Sequence, residues 1–379
     1  MSKKRALILT NYVGFVSFLW NDIKLLTELG YDIHFAAYNP SNINENELTK
    51  LKANQVLFIN IPFDCKKPFS KINISAFRKI WTLLKKNQYD LIHCHTPIVG
   101  FLTRLAALQY RKNVKVLYTA HGFAFSHLSS KKIWLKYYPL EVFASFFTDI
   151  IITINREDFA VAQKMYAKEV RYINGVGVDS NKYSTVSIDR DEYRKMIGVG
   201  KEQLMILSVG ELSHRKNHQI IIKALSTLEN KSRYVYVICG RSMESTGTEY
   251  LLKDLAKKEG VNLILLGFRH DIPMITHCSD IGAIPSIREG LGLVGIQSLC
   301  AGIPLVGSCV QGIKDYIIDG KTGYLNHPFD YNGFADKIKL LSDEKNRFSM
   351  KNDCIEIAKK FDNTISHKQM RDIYLSLQS

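Results

Sequence analysis

The chain has 379 residues, 46% hydrophobic and 23% charged, an ordinary globular composition that excludes a fibrous or low-complexity protein and, at roughly 150 residues per domain, predicts two domains. The net charge of +15 is unevenly placed: residues 1–200 carry 28 Lys and Arg against 16 Asp and Glu, residues 201–379 carry 23 against 20. The basic surplus therefore belongs to the first half and suggests nucleic acid, an anionic membrane or an anionic acceptor as its partner. Seven cysteines, at 65, 94, 239, 278, 300, 309 and 354, form no Cys-x-x-Cys pair, which argues against a disulfide framework and a zinc module.

Taken in chain order, Lys3, Lys4 and Arg5 precede the apolar stretch ALILTNYVGFVSFLW. Asn11 and Gly14 interrupt it, and no small-x-small cleavage site follows, so it is read as a buried strand, a loop and a helix rather than a signal peptide. No run reaches ~18 uninterrupted apolar residues; residues 140–154 come nearest and are broken by Glu141 and Asp149. Strands are predicted at 6–10, 32–37, 56–60, 91–95, 115–119, 149–154 and 170–173, with helix-like segments between most of them. One helix covers 75–86, with Phe77, Ile80, Trp81 and Leu84 at helical spacing. The segment 175–200 is polar, rich in turn residues and short of strand pattern, and is read as a linker. Strands resume at 204–209, 234–239, 263–266, 281–284 and 304–307, and from about 330 onward the pattern is helical only. The expectation is an α/β protein with two doubly wound, Rossmann-like domains facing a central cleft, ligands binding beyond the carboxyl ends of the strands. The boundaries are 1–174, the linker 175–200, 201–360, and a terminal helical piece 361–379.

Three segments carry the chemistry. The richest is PSIREGLGLVGIQSLCAGIPLVGSCVQGIKDYIIDGKTGYL, residues 285–325. It starts at a strand end, passes Glu289, Gly290, Leu291, Gly292 and Leu293, and enters an apolar helix. Glycines let the backbone approach a ligand, and a helix N-terminus favours an anion. Glu289 would repel a bare phosphate but can accept hydrogen bonds from sugar hydroxyls, so the pair of features suits a sugar joined to a diphosphate. On local pattern alone a plain Gly-rich strand-to-helix turn is the stronger reading, because lone glycine motifs are weak. The second segment, VGELSHRKNHQIIIKAL, places Arg215 and Lys216 after the first strand of the second half, as a phosphate clamp or a solvated basic loop. In the third, LIHCHTPIVG followed by LYTAHGFAF, His93, His95 and His121 fall at the ends of consecutive strands. No metal-ligand spacing accompanies them; His121, between Ala120 and Gly122, is the one expected to face the cleft, while His93 and His95 suit packed, hydrogen-bonded positions.

YTAHGFAF, TINREDFAVAQ, INGVGVDSNKY, VGELSHRKNH and PSIREGLGLVGIQSLCAGIPLVGS, in this order over nearly the whole chain, resemble the retaining glycosyltransferases of the GT-B fold, family four, especially those of capsule and exopolysaccharide synthesis. The resemblance implies an enzyme that uses no metal and no cofactor. It would take a nucleotide diphosphate-sugar, with UDP the commonest case, and a lipid-linked or saccharide acceptor. It would work in the cytoplasm, with peripheral attachment at the inner face of the cell membrane. Lys216, helped by Arg215, would hold the donor diphosphate. Glu289 would bind donor-sugar hydroxyls, and the amides from Gly290 to Leu293 would meet sugar and phosphate. His121 would sit beside the anomeric carbon, and Gly14 in the loop that closes on the diphosphate. Phe268 and Arg269 would fall where the base is held, and residues 363–377 would cross back onto the first domain.

Two departures stand out. Many members carry Arg where this chain has Glu211, leaving the phosphate clamp to Arg215 and Lys216. The second Glu expected eight positions after the first, on the ribose hydroxyls, is Gln297, which still bonds hydroxyls but without charge. Three other readings stay open at this stage. A nucleotide-sugar epimerase would share the architecture. A nicotinamide dehydrogenase lacks its G-x-G-x-x-G in the first domain. A nucleic-acid-binding protein is suggested only by charge, no such module appears, and no nucleic acid is expected.

Overall fold

Runs of β-branched residues too short to be helices, separated by amphipathic stretches, can bury both faces of a strand only in a parallel sheet covered by helices on each side. The computed structural model of the chain describes residues 3–40, 44–242 and 247–377, and contains two such sheets. The first is built from β1 (Arg5–Tyr12), β2 (Asp32–Tyr38), β3 (Leu57–Asn60), β4 (Leu91–His95), β5 (Lys115–Ala120), β6 (Ile150–Thr153) and β7 (Glu169–Tyr172). Their order is β3-β2-β1-β4-β5-β6-β7, with parallel pairing throughout. The second comprises β8 (Leu204–Val209), β9 (Tyr234–Cys239), β10 (Asn262–Gly267), β11 (Ile281–Ile284), β12 (Leu305–Ser308) and β13 (Gly323–Asn326). Their order is β10-β9-β8-β11-β12-β13, again all parallel.

Each sheet starts in its middle and winds outward in both directions. Each therefore has one place, between β1 and β4 or between β8 and β11, where neighbouring strands send their following loops to opposite faces. That switch point is where a doubly wound sheet opens a crevice at its carboxyl edge.

The chain divides into two compact units, Met1–Val176 with Ser366–Ser379, and Gly177–Ile365. Residues 175–200 are more ordered than their composition suggests. Helices Ser180–Ser184 and Arg190–Met196 form there, each started by an aspartate, Asp179 or Asp189, whose side chain accepts from a first-turn N–H. Val178 N–H bonds the Phe361 carbonyl at 2.9 Å and Ser180 Oγ bonds Asp362 at 2.5 Å, which fastens this segment to the second unit. The helix Asn363–Ser376 then supplies Met370, Ile373 and Tyr374 to the buried interior.

Helix Lys71–Lys86 begins at the Ser70 cap and packs Ala76, Ile80 and Leu84 inward, with Phe77 half-buried; Trp81, predicted on the same face, stays exposed with the Lys85 ammonium 5.4 Å from its ring. A run of basic and aromatic residues, KKIWLKYY at 131–138, opens helix Lys131–Ser145. Its apolar pattern is weak, and a buried polar anchor assists its docking. Glu141 accepts from Arg104 at 2.6 Å and from the Tyr118 hydroxyl at 3.2 Å. The apolar run 140–154 is divided between the end of this helix and β6. Among the described residues no helix is long and apolar enough to cross a membrane.

Candidate active site

The second unit gathers its charged residues at its own switch point. Behind β8 the chain turns at Gly210, whose φ of +150° is one that side chains rarely adopt, with Lys216 Cε 3.1 Å from where a Cβ would stand. The 3₁₀ turn His214–Lys216 ends on Asn217, left-handed at φ +55°; its side-chain amide donates to the Pro285 carbonyl at 3.1 Å and the Pro328 carbonyl at 2.7 Å. This buried amide pins the turn beside the end of β11, and the Ile287 N–H to Arg215 carbonyl bond of 2.9 Å completes the attachment. Lys216 Nζ then lies 2.6 Å and Arg215 Nη1 3.2 Å from the same Glu289 oxygen, which also accepts from Ser286 at 3.2 Å. Burial alone would raise the Glu289 carboxyl; Lys216 and then Arg215 outweigh it and hold the group below the ordinary carboxylate range. One carboxylate against two cations leaves a local surplus of one positive charge.

Gly290, Leu291 and Gly292 follow, and Gly292 caps the eight-residue helix Leu293–Cys300 in the left-handed region at φ +77°. A Cβ there would meet the Tyr316 hydroxyl at 2.9 Å and Glu289 Cγ at 3.0 Å, so glycine is required. No side chain caps this helix; of its first turn the Gly295 N–H bonds the Gly292 carbonyl at 2.9 Å, and a helix N-terminus of this kind favours an anion. Gln297 lies one turn along, half-buried. Glu211 follows Gly210, and its carbonyl meets buried His218 at 3.2 Å.

At the same carboxyl edge, Gly210 N–H bonds the Cys239 carbonyl and Gly240 N–H the Gly267 carbonyl, carrying the sheet to the end of β10. Phe268 follows with 61% exposure, its ring flanked by the Arg241 guanidinium at 5.4 Å and edge-on to His270 at 4.9 Å. Arg269, the neighbouring candidate, turns instead to Asp271, meeting both of its oxygens, and the Tyr193 hydroxyl joins the same carboxylate. Arg269 bonded to it, ahead of its own burial and of Tyr193, brings the Asp271 carboxyl down to about 2.

The first unit brings Gly14 and His121 together. Gly14 forms the 3₁₀ turn Val13–Phe15 after β1, where a Cβ would stand 2.6 Å from the Tyr12 ring. Phe15, next in the turn, presents its ring to His121 at 5.8 Å. His121 follows β5, and its Nε2 is 3.1 Å from Nδ1 of His95 at the end of β4. His93 and His95 are fully buried, as residues packed into the sheet should be. His93 Nδ1 meets the Tyr374 hydroxyl at 2.8 Å and its Nε2 meets Thr119 at 2.7 Å. Burial pushes His93 down to about 3 and His121 to about 4, so both imidazoles are neutral near pH 7. Tyr374 is also bonded to Asp22, whose carboxyl burial drives up to about 7 against that bond. Between β4 and the helix Pro97–Ala107, Thr96 adopts φ +66°, ψ 149°, a strained region for a residue with a side chain and one that collects at functional sites. Asp22, Thr119, His95, His121 and Ser366 line one small cavity of about 20 Å³.

Arg241, Tyr193, Asp22 and Tyr374 were not signalled by the sequence. Tyr374 lies 281 positions from its His93 partner, a separation no local pattern spans. Among the described residues no group of three His, Cys, Asp or Glu side chains is arranged to hold a metal.

Residues 14–174 match the family model described as Glycosyltransferase Family 4, and residues 189–361 the model described as glycosyl transferases group 1. EpsD of Bacillus subtilis (strain 168), which carries a glycosyltransferase name, is 32% identical over 348 residues, covering 90% of this chain and 88% of EpsD. The Escherichia coli UDP-Gal:α-D-GlcNAc-diphosphoundecaprenol α-1,3-galactosyltransferase is 28% identical, covering 84% of this chain and 83% of that protein. In structure the chain superimposes on Anabaena HepE in complex with UDP and glucose with a TM-score of 0.79, at 19% identity over 98% of this chain and 100% of HepE. It superimposes on the lipopolysaccharide glycosyltransferase WaaG with a TM-score of 0.73, at 18% identity over 97% of this chain and 99% of WaaG. At such identities the likeness establishes the fold, a two-domain α/β arrangement of the GT-B class.

Proposed function

The chain belongs to the group 1 glycosyltransferases, and from that premise we propose that it moves a hexosyl or N-acetylhexosaminyl group from a UDP-sugar, with retention of anomeric configuration, to a lipid-linked or saccharide acceptor in cell-surface polysaccharide synthesis. The observation that carries this reading is the convergence of Lys216 and Arg215 on Glu289 beside the uncapped helix Leu293–Cys300. Two cations, a row of backbone amides and one carboxylate suit a ligand that is anionic at one end and rich in hydroxyls at the other. The names of the relatives support both ends of the reaction: UDP with glucose in the HepE complex, and UDP-galactose with a diphosphoundecaprenol-linked acceptor for the Escherichia coli enzyme.

In this reading the diphosphate displaces the Lys216 ammonium from Glu289, and Glu289 turns to the sugar hydroxyls. As the glycosidic bond breaks, charge grows on the departing phosphate. Lys216, Arg215 and the amides of Gly290 to Leu293 are fixed where it grows, which lowers the barrier without reorganisation. The leaving phosphate deprotonates the incoming hydroxyl on the face it has just left, and retention follows. His121 lies at the sugar, Gly14 in the loop facing the diphosphate, and Phe268 with Arg241 at the base; Arg269, held by Asp271, serves to shape that loop.

A thermal-shift panel of nucleotides and nucleotide-sugars tests the donor. The matching ligand at ~100 times its Kd adds about 2.7 kcal/mol of stability. Transfer to a lipid diphosphate-linked sugar, with the product anomer read by NMR, tests the rest. Response to a nucleotide other than UDP moves the donor assignment. An inverted anomer refutes retention, and an epimeric nucleotide-sugar formed without acceptor replaces transferase by epimerase.

A further inference from the structure

We infer that His95 is a positioning residue that fixes His121 as the Nδ1–H tautomer, so that His121 meets the donor as a hydrogen-bond donor and not as a base. The geometry is a short one: His95 Nδ1 and His121 Nε2 are 3.1 Å apart, with ring centroids 5.3 Å apart and planes inclined by 31°. His95 is fully buried, and its other nitrogen, Nε2, has no hydrogen-bond partner.

Two neutral imidazoles in contact share one proton between the facing nitrogens, and there are two ways to place it. If His121 Nε2 carries it and donates, His95 must hold its own proton on Nε2, where it is a buried N–H with no acceptor. If His95 Nδ1 carries it and donates, His95 Nε2 is a bare lone pair. Buried N–H groups without partners are rarer in proteins than under-used acceptors, so the second arrangement is favoured. Charging the pair instead is opposed by burial and by the His93 ring, whose centroid is 4.1 Å from that of His95 with the planes inclined by 40°. His93 is held separately by Tyr374 and Thr119, so His95 has no competing partner.

The consequence is chemical. With its Nε2 lone pair occupied by His95, His121 has only Nδ1–H left, and among the described residues no protein group bonds that atom. An N–H at this place serves an oxygen of the donor, a sugar hydroxyl or a phosphate oxygen, and cannot accept the proton of the attacking hydroxyl. This rests on the reading above that His121 faces the donor sugar. It also agrees with that reading's assignment of the base to the leaving phosphate.

The test is ¹⁵N NMR of the full chain labelled at histidine, with the His121 signals assigned by their loss in His121→Gln. A protonated ring nitrogen and a bare one resonate far apart. The expected spectrum has His121 bare at Nε2 and protonated at Nδ1. Two variants carry the inference into kinetics. His95→Asn sets an amide N–H near the former Nδ1 and should keep both the tautomer and most of the turnover. His95→Asp sets an acceptor there, should move the His121 proton to Nε2, and should lower kcat at least about tenfold, the loss being that of one misdirected donor at a reacting centre. A wild-type spectrum with His121 protonated at Nε2 overturns the inference, whatever the kinetics and even if His95→Asp fails to fold. The expected tautomer together with unchanged kcat in both His95→Asp and His121→Gln leaves the proton assignment standing and removes His121 from the donor site.

Discussion

Replacing Lys216 by alanine is the most informative perturbation of the donor site. Lys216 spends its charge on Glu289 at 2.6 Å, and its side chain is only 13% exposed, so water does little to screen it. A charge-assisted hydrogen bond of this kind is worth ~1.5–3 kcal/mol. Transferred to the donor phosphates, that corresponds to a loss of roughly 10- to 150-fold in UDP affinity for Lys216→Ala. Glu289→Ala predicts the opposite split. It releases two cations from a carboxylate, so UDP should bind as before or more tightly, while the donor sugar loses its acceptor and turnover falls. Lys216→Ala also leaves Glu289 with Arg215 alone against a burial that raises its pKa. The acid limb of the pH–activity profile should therefore move to higher pH. Calorimetry with UDP and with the UDP-sugar, on variants shown by melting to be folded, measures both affinities. Wild-type UDP affinity and full transfer in both variants would refute the placement of the diphosphate.

Gln297→Glu should tighten UDP binding several-fold, because a carboxylate on ribose hydroxyls gains over a neutral amide by ~0.5–2 kcal/mol; Gln297→Ala should loosen it, and identical calorimetric affinities in all three proteins would withdraw Gln297 from the ribose. Asp22 provides a pH test. Its carboxyl is raised from 3.8 to about 7, so the unfolded chain ionises first, and stability from this group is full below about pH 4 and lost as pH rises to about 7. The shift corresponds to roughly 4 kcal/mol, and Asp22→Asn should flatten the dependence between about pH 4 and about pH 7 in denaturant melts; an unchanged slope would show the group to be ionised already. For the membrane, Phe69 (80% exposed), Leu135 (77%) and Trp81 (39%) stand among lysines of the first unit. Co-sedimentation with anionic vesicles should accordingly exceed that with neutral ones and fall with salt. Equal pelleting on both would rule out electrostatic attachment.

The elements legible in the sequence are those whose burial is complete. A strand such as β9, YVYVIC, buried at every position, leaves an unbroken apolar run that only a covered parallel sheet accommodates. The strand β13 was not foreseen: it is four residues, Gly323–Asn326, at the sheet edge and mostly half-buried, and glycine and asparagine mask so short a run. The helices in 175–200 were hidden because five- and seven-residue helices are too short to show a period. They stand on aspartate caps and on contacts with Asp362, far along the chain.

The site divides along the same line. Gly292 and the Lys216 turn are readable because backbone geometry constrains what can stand there. A left-handed cap pressed against Tyr316 admits only glycine, and a chain must turn behind β8 to present a lysine. The partners that set protonation are not readable, because they come from elements remote in sequence. His95 and His121 are 26 positions apart, one ending β4 and the other following β5, and Tyr374 reaches His93 from the last helix. Arg269 shows the converse. Its position after β10 was expected to lie where a base is held, yet a carboxylate two residues on captures the guanidinium, and Arg241, from the loop after β9, stands over the Phe268 ring. Sequence patterns thus specify where a strand ends and a ligand can approach. Which cation stands free there is decided by pairings between loops, and those are properties of the folded sheet order.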